Sequence, residues 1–439
     1  MVYASLDCAI NYILWEGRCF MTYFGKFLSA IFAFVVVQLF VACGDDASSS
    51  VSADGQSSAI VKEKSSSSVA ASSSSKEKQP TILDETGPIS VTVLEDTTEI
   101  FNYGKFYLDV SANSFLTRFK NGDIVTVMID GFDTLDVPVV TSESAVFPGE
   151  FFLLVSSGLN SVSLEARYGL FVDVIGIGRD VKFPIDVVVQ MKEQGGYVDH
   201  LENLNVLSIS YSVDAYPDLS IEEFANFRMV RTTGMGEGVL YRSSNPVNSS
   251  IGRNRYADSL SEVAGVKTFL NFAASEAVAV ANSAFAESYY SKQNVVYFDV
   301  QPAFANTPYK KALVTGIRFM IEHDGPYLVH CTYGMDRTGF MIAVLEALMG
   351  GTAEEIMADY AKTHQNFFNV IDGQQVALTQ KQVDLIQAVI ARILKNTYKV
   401  QHVDISDFEK ADLASATEKY LLSLGLEQSE IDALKDRLR

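Results

Sequence analysis

One stretch of the 439-residue chain combines a nucleophile, a fixed cation and a tight loop: His330-Cys331-Thr332-Tyr333-Gly334-Met335-Asp336-Arg337-Thr338-Gly339. The run before it, "PYLVHC", reads as a strand, and the run after it, "RTGFMIAVLEALMG", reads as an apolar helix. Five residues separate Cys331 at the strand end from Arg337 on the first helical turn. In such a loop the backbone amides and the helix amino terminus converge on one cavity and form an anion site. Their positive field lowers the pKa of Cys331 from its free value of about 8.5, which makes a thiolate nucleophile at neutral pH. Arg337 offers two parallel N–H donors that match two oxygens of a tetrahedral anion such as phosphate, and its charge offsets what builds up in a transition state. Thr338 is placed to donate to the sulfur, and His330 to hold the loop from beneath.

His-Cys, five residues and Arg-Thr-Gly resembles the phosphate-binding loop of the cysteine-dependent protein tyrosine phosphatase superfamily. The Asp336-Arg337-Thr338-Gly339 end is similar to the bacterial tyrosine and lipid phosphatases whose loops read Gly-Lys-Asp-Arg-Thr-Gly. Asn226-Phe227-Arg228, Leu240-Tyr241-Arg242-Ser243-Ser244 and "VKTFLNF" add to the resemblance, which runs from about Ser220 to the carboxyl terminus. It implies hydrolysis of phosphomonoesters through a phosphocysteine on Cys331, with Thr332, Tyr333, Gly334, Met335, Asp336 and Arg337 around the phosphate. Two positions depart from the family: Met335 replaces the loop lysine, and Met229 stands where an acidic residue usually follows Asn-Phe-Arg. Without the lysine, Arg337 is the only cation in the loop, set against Asp336, so dianions bind less well. That favours a phosphorylated protein or small aryl phosphoester over phosphoinositides and inositol phosphates, which remain the alternative substrates. A weakly active phosphate-binding surface protein is the alternative function.

Two aspartates compete for the general acid. Asp336 lies inside the loop, and Asp299 lies 32 residues before Cys331 at the end of the strand "VVYFDV". The resemblance allows either, with Asp336 preferred. Arg242, at a strand end, offers a substrate contact or an ordinary salt bridge. Asp359 and Tyr360 read as packing residues on a helix opened by a Thr352 to Glu355 capping box. His200, His323, His364 and His402 are isolated, so no metal site and no cofactor is expected.

The elements around the motif alternate. After a capping box at Ser220, "EEFANF" reads as helix, "GVLYRS" as strand, "RYADSLSEVAG" as helix and "VKTFLNF" as strand; "AESYYSKQ" and "YKKALVTGIRFMIEH" read as helices on either side of "VVYFDV". This pattern predicts an α/β phosphatase-like domain over residues 214–439, a parallel sheet flanked by helices. Residues 89–213 carry short β-branched and aromatic runs, "ISVTVLE", "KFYLDVS", "DIVTVMIDG", "LDVPVVT", "EFFLLVSSG", "GLFVDVIGIG" and "FPIDVVVQM", with turn signals such as Asn121-Gly122-Asp123 and Pro148-Gly149 between them. They predict an all-β sandwich or small barrel, a spacer or binding module whose ligand the sequence does not reveal.

Upstream, Met21 opens an export signal: Lys26, then an apolar run from Phe27 to Ala42 that is short for a bilayer span. Its end, Val41-Ala42-Cys43-Gly44, resembles the lipobox of bacterial lipoproteins. Residues 1–42 are thus expected to be upstream sequence and signal, with lipid on Cys43. Residues 43–88 read as a flexible tether, since Ser48 to Ser75 holds 14 serines in 28 residues. The expectation is an exported lipoprotein, anchored by lipid to a membrane on the periplasmic face or cell surface. A balance of 34 basic against 54 acidic side chains, net −20, argues against nucleic acid as a partner. Of four cysteines, Cys8 and Cys19 go with the signal, leaving Cys43 for lipid and Cys331 for chemistry.

Overall fold

Alternating residues build the first layer of the structure. Along β3 (Ile124–Ile129) Val125, Val127 and Ile129 are buried while Ile124, Thr126 and Met128 are half-buried, the period-two pattern of a strand with one face on a core. β1 (Ile89–Val93), β2 (Phe106–Leu108), β3, β4 (Leu135–Val140), β5 (Phe151–Ser156), β6 (Ser161–Ala166) and β7 (Ile185–Glu193) close into a barrel in the order β1-β2-β6-β5-β4-β3-β7. Closure leaves no open sheet edge. Neighbours are antiparallel except β4 and β5. The interior is filled by Phe106, Val127, Val139, Leu153, Leu164, Val187 and their neighbours.

Two runs differ from the sequence reading. "GLFVDVIGIG" supplies a short helix, Phe171–Ile175, instead of a strand, and its four buried apolar residues fit either periodicity in so short a run. The strand β6 comes from "SVSLEA", whose polar residues hid it. Ser163 and Glu165 are both buried, Ser163 Oγ donates to Glu165 Oε1 at 2.5 Å, and Lys105 lies 3.3 Å from the same carboxylate.

The computed structural model describes residues 87–169, 171–205 and 208–439, which belong to one compact unit; the export signal, Cys43 and the serine tether lie outside the described residues. Beyond the barrel, β8 (Arg228–Met229), β9 (Leu240–Ser243), β10 (Thr268–Asn271), β11 (Asn294–Tyr297) and β12 (Tyr327–His330) form a sheet in the order β11-β10-β12-β9-β8. β9, β12, β10 and β11 run parallel, with His330 beside Ser243 and Asn271, and β8 pairs antiparallel at the edge, so the sheet is mixed. "AESYYSKQ" holds only a single turn, Tyr290–Lys292, where a helix was expected: its paired tyrosines serve packing, with Tyr290 fully buried.

Helices cover both faces. α1 (Asn254–Val263) packs with Phe269 and Leu328 on one side. On the other, α2 (Thr307–Glu322), α3 (Asp336–Met349), α4 (Ala353–Gln365), α5 (Gln380–Val400), α6 (Leu413–Ser423) and α7 (Gln428–Leu438) build the largest core around Leu270 and Val329. Successive residues of β10 and β12 therefore point to opposite cores. The barrel docks on this second layer: Phe147 joins its core, Asn396 Nδ2 donates to the Gly149 carbonyl at 2.9 Å, and Arg392 lies 3.0 Å from Glu150.

Candidate active site

Cys331 stands at the carboxyl end of β12, the middle strand of the sheet, and is 3% exposed. The loop after it is shaped by what claims its carbonyls. The Thr332 carbonyl accepts from the Asn245 amide at 3.1 Å, that of Tyr333 from Asn226 Nδ2 at 3.1 Å, and that of Gly334 from Arg242 Nη2 at 2.8 Å. In a planar trans peptide the following N–H points the opposite way. The amides of Tyr333, Gly334 and Met335 therefore point away from those partners, the direction that an anion cradle in the loop would require. Gly334 sits at φ +70°, and a Cβ would run into the Ser243 carbonyl, so only glycine fits.

Arg337 is locked on the first turn of α3. Its Nη1 donates to the carbonyls of Phe272 at 2.9 Å and Val300 at 3.2 Å, and its Nη2 to Thr332 Oγ1 at 3.1 Å. Tyr309 OH donates to the Arg337 carbonyl at 2.7 Å. The arginine charge acts on Cys331. Burial pushes the thiol up, but Arg337 and Thr338, through its hydroxyl and its amide, outweigh it and hold the thiol below its ordinary value; Asp336 opposes them. The buried Thr338 hydroxyl has no hydrogen-bond partner among the described residues, which leaves it available to the sulfur.

Beneath the loop, His330 is fully buried, with Nδ1 3.3 Å from the Cys331 carbonyl and Nε2 3.4 Å from Tyr290 OH. Burial, aided by Arg337, holds its pKa down at about 3, so it is a neutral prop. Arg242 is also fully buried; Nη1 pairs with Asp359 as Nη2 holds Gly334. Asp359 lies 2.7 Å from Arg228 Nε as well, and the two arginines hold its carboxyl below the usual range against the effect of burial. Asp336 Oδ1 accepts from Tyr360 OH at 2.8 Å. Asp299 is exposed, one residue before the Val300 carbonyl that anchors Arg337. Met335 is buried against Ile251 and Phe367, and Tyr333 OH lies 3.3 Å from Tyr211 OH.

A tyrosine phosphatase family model matches residues 220–439, half of the chain. The chain belongs to the tyrosine phosphatase family. No curated protein matches it. Among solved structures, an uncharacterised conserved protein from Thermotoga maritima is 18% identical with a TM-score of 0.21, the match covering 26% of this chain and 40% of that one. The core catalytic domain of the PP-IP phosphatase SIW14 from S. cerevisiae, in complex with citrate, is 18% identical with a TM-score of 0.23, over 40% of this chain and 93% of that one.

The loop rests on residues that the sequence reading named without giving them a role in holding it. Asn226, at φ +51°, reaches both Tyr333 and Gly334 carbonyls and is itself held by Arg228 Nη1 at 2.7 Å and Asn366 Nδ2 at 3.1 Å. Tyr360 and Asp359, read as packing, hold Asp336 and the two arginines. Their only sequence signal is the side-by-side placement of a carboxylate and a phenol on a helix that also carries apolar positions. A cavity of about 650 Å³ between the barrel and α5 has neither Cys331 nor Arg337 in its lining.

Proposed function

We propose that the protein is a cysteine-dependent phosphatase that hydrolyses phosphotyrosine-like monoesters through a phosphocysteine on Cys331. The observation that carries this reading is a buried thiol held below its ordinary pKa by Arg337, at the mouth of a loop whose amides point away from the partners of its carbonyls. The phosphate oxygens sit on those amides and on the Arg337 guanidinium. The sulfur attacks phosphorus, the ester oxygen leaves with a proton from Asp336, and water then cleaves the phosphorus–sulfur bond while Thr338 donates to the departing thiolate. Tyr360 fixes Oδ1 of Asp336, so Oδ2 carries the proton.

Met335 in place of a loop cation favours aryl monoesters over polyphosphorylated inositols. The test is turnover of para-nitrophenyl phosphate by wild type and Cys331→Ser. Turnover by wild type that falls by at least about 10³-fold in the variant is expected, since a serine hydroxyl stays un-ionised where the thiol gives a thiolate; equal rates would point to a phosphate-binding protein instead. The motif Val41-Ala42-Cys43-Gly44 supports a lipid-anchored, exported form. Incorporation of a fatty-acid probe that is lost in Cys43→Ser is the expected result, and labelling of both forms would overturn it.

A further inference from the structure

Arg253 immediately precedes α1 and is fully buried, and among the described residues it pairs with no carboxylate. Its guanidinium lies instead against three rings, with Cζ 3.6 Å from the centroid of Phe367, 4.3 Å from that of Phe224 and 4.8 Å from that of Tyr216. Nη1 donates to the Phe224 carbonyl and, at 3.0 Å, to that of Asn366, while Nε and Nη2 find no hydrogen-bond partner among the described residues. Burial holds its pKa down at about 10, so the group is charged at neutral pH. A buried charge without a counterion is costly, and ring faces offset only part of that cost. For packing alone an apolar side chain between the rings would serve; what the guanidinium adds is a grip on two carbonyls at once.

Those two carbonyls belong to the stretches that hold the catalytic loop. Phe224 lies two residues before Asn226, whose Nδ2 donates to the Tyr333 and Gly334 carbonyls at 3.1 and 3.4 Å. Asn366 closes α4 and donates through Nδ2 to Asn226 Oδ1 at 3.1 Å. Arg253 thus ties the backbone on both sides of the contact between Asn226 and Asn366. We propose that Arg253 is a positioning residue of the phosphatase: by fixing those two backbones it sets Asn226, and through Asn226 the Tyr333 and Gly334 peptide groups that bind phosphate. The proposal rests on the phosphatase reading above. A carbonyl that loses its donor lets its peptide plane turn, and the amide of the next residue turns with it. Without Arg253 the amides of Gly334 and Met335 therefore lose their aim. The Cys331 thiol is untouched, because Arg337 and Thr338, which hold it down against burial, make no hydrogen bond with Arg253.

The experiment is a double-mutant cycle in the full chain, read as kcat/KM for para-nitrophenyl phosphate across pH. Arg253→Met and Asn226→Ala are each expected to lower kcat/KM about 10²-fold, the size of a misplacement of about 1 Å caused far from the chemistry. Combining them should lower it no further than the worse single variant, because both act on the same two peptide groups. The acid limb of the profile should stay at its wild-type pH. Should Arg253→Met not fold, Arg253→Lys carries the test: it keeps the charge against the rings without the planar fork, so a smaller fall and the same lack of additivity are expected. Wild-type kcat/KM in the Arg253 variants, multiplying falls in the double variant, or a shifted acid limb each overturn the proposal while leaving the phosphatase reading intact. If wild type turns over no para-nitrophenyl phosphate, that reading fails, and the cycle is read from the protection of Cys331 against iodoacetamide by inorganic phosphate, which needs binding alone. Weaker protection in Arg253→Met that Asn226→Ala does not deepen upholds the role of Arg253; equal protection, or none in wild type, overturns it.

Discussion

Which aspartate gives up the proton is a question for single residues. Asp336 lies on the loop with Oδ1 tied to Tyr360, whereas Asp299 is exposed beside the strand end that anchors Arg337. Asp336→Asn is expected to cut kcat for phenyl phosphate by about 10²-fold, the usual share of general acid catalysis, and to remove the alkaline limb of the pH profile. It should spare para-nitrophenyl phosphate, whose leaving group needs no proton. The same pattern in Asp299→Asn instead would assign the acid to Asp299. The acid limb in both variants should persist, because it marks ionisation of Cys331, which Arg337 and Thr338 hold below its ordinary value. Cys331 and Arg337 were legible from spacing alone, since a strand, five residues and a helix leave one way to bring them together. Tyr360 was not, because a helical position says nothing about which loop it will meet.

At the scale of elements, the loop is held by one helix acting on two strands. Asp359 on α4 pairs with Arg228 of β8 and Arg242 of β9, and both arginines pass the constraint on, Arg228 to Asn226 and Arg242 to the Gly334 carbonyl. Asp359→Asn leaves two guanidinium groups facing each other, one of them fully buried. A cost of about 3 kcal/mol in urea unfolding is expected, the lower end for a broken buried pair because the Asp359 side chain keeps 13% exposure. kcat should fall with it, as the loop loses its hold on Gly334; a variant with wild-type stability and kcat would show that the triad is not what positions the loop. The capping boxes at Ser220 and Thr352 appear as read, because a cap is a local contract between residues three apart. The strand β6 and the helix Phe171–Ile175 were misread for the opposite reason: burial of Ser163 and Glu165 is made possible by Lys105 on a distant segment, and a short apolar run leaves helix and strand undecided.

Over the whole molecule, two cores of different design meet along α5. The barrel closes on itself, and the sheet is covered by helices on both faces. Between them Glu150 accepts from the Phe147 amide at 2.7 Å and from Tyr197 OH at 2.8 Å while it pairs with Arg392, so the barrel is fixed against α5. Among the described residues, no helix is long and apolar enough to cross a membrane. The amino-acid sequence by itself determined the motif, the alternation of strands and helices around it and the β-rich character of residues 89–213, because periodicity, caps and loop spacing are set by neighbours in the chain. Only the tertiary structure decided that the barrel is closed and that Asn226, Asp359 and Tyr360 serve the loop. Those facts join residues that lie from 24 to more than a hundred positions apart, and their meeting is fixed by the burial of whole faces, which no local pattern encodes.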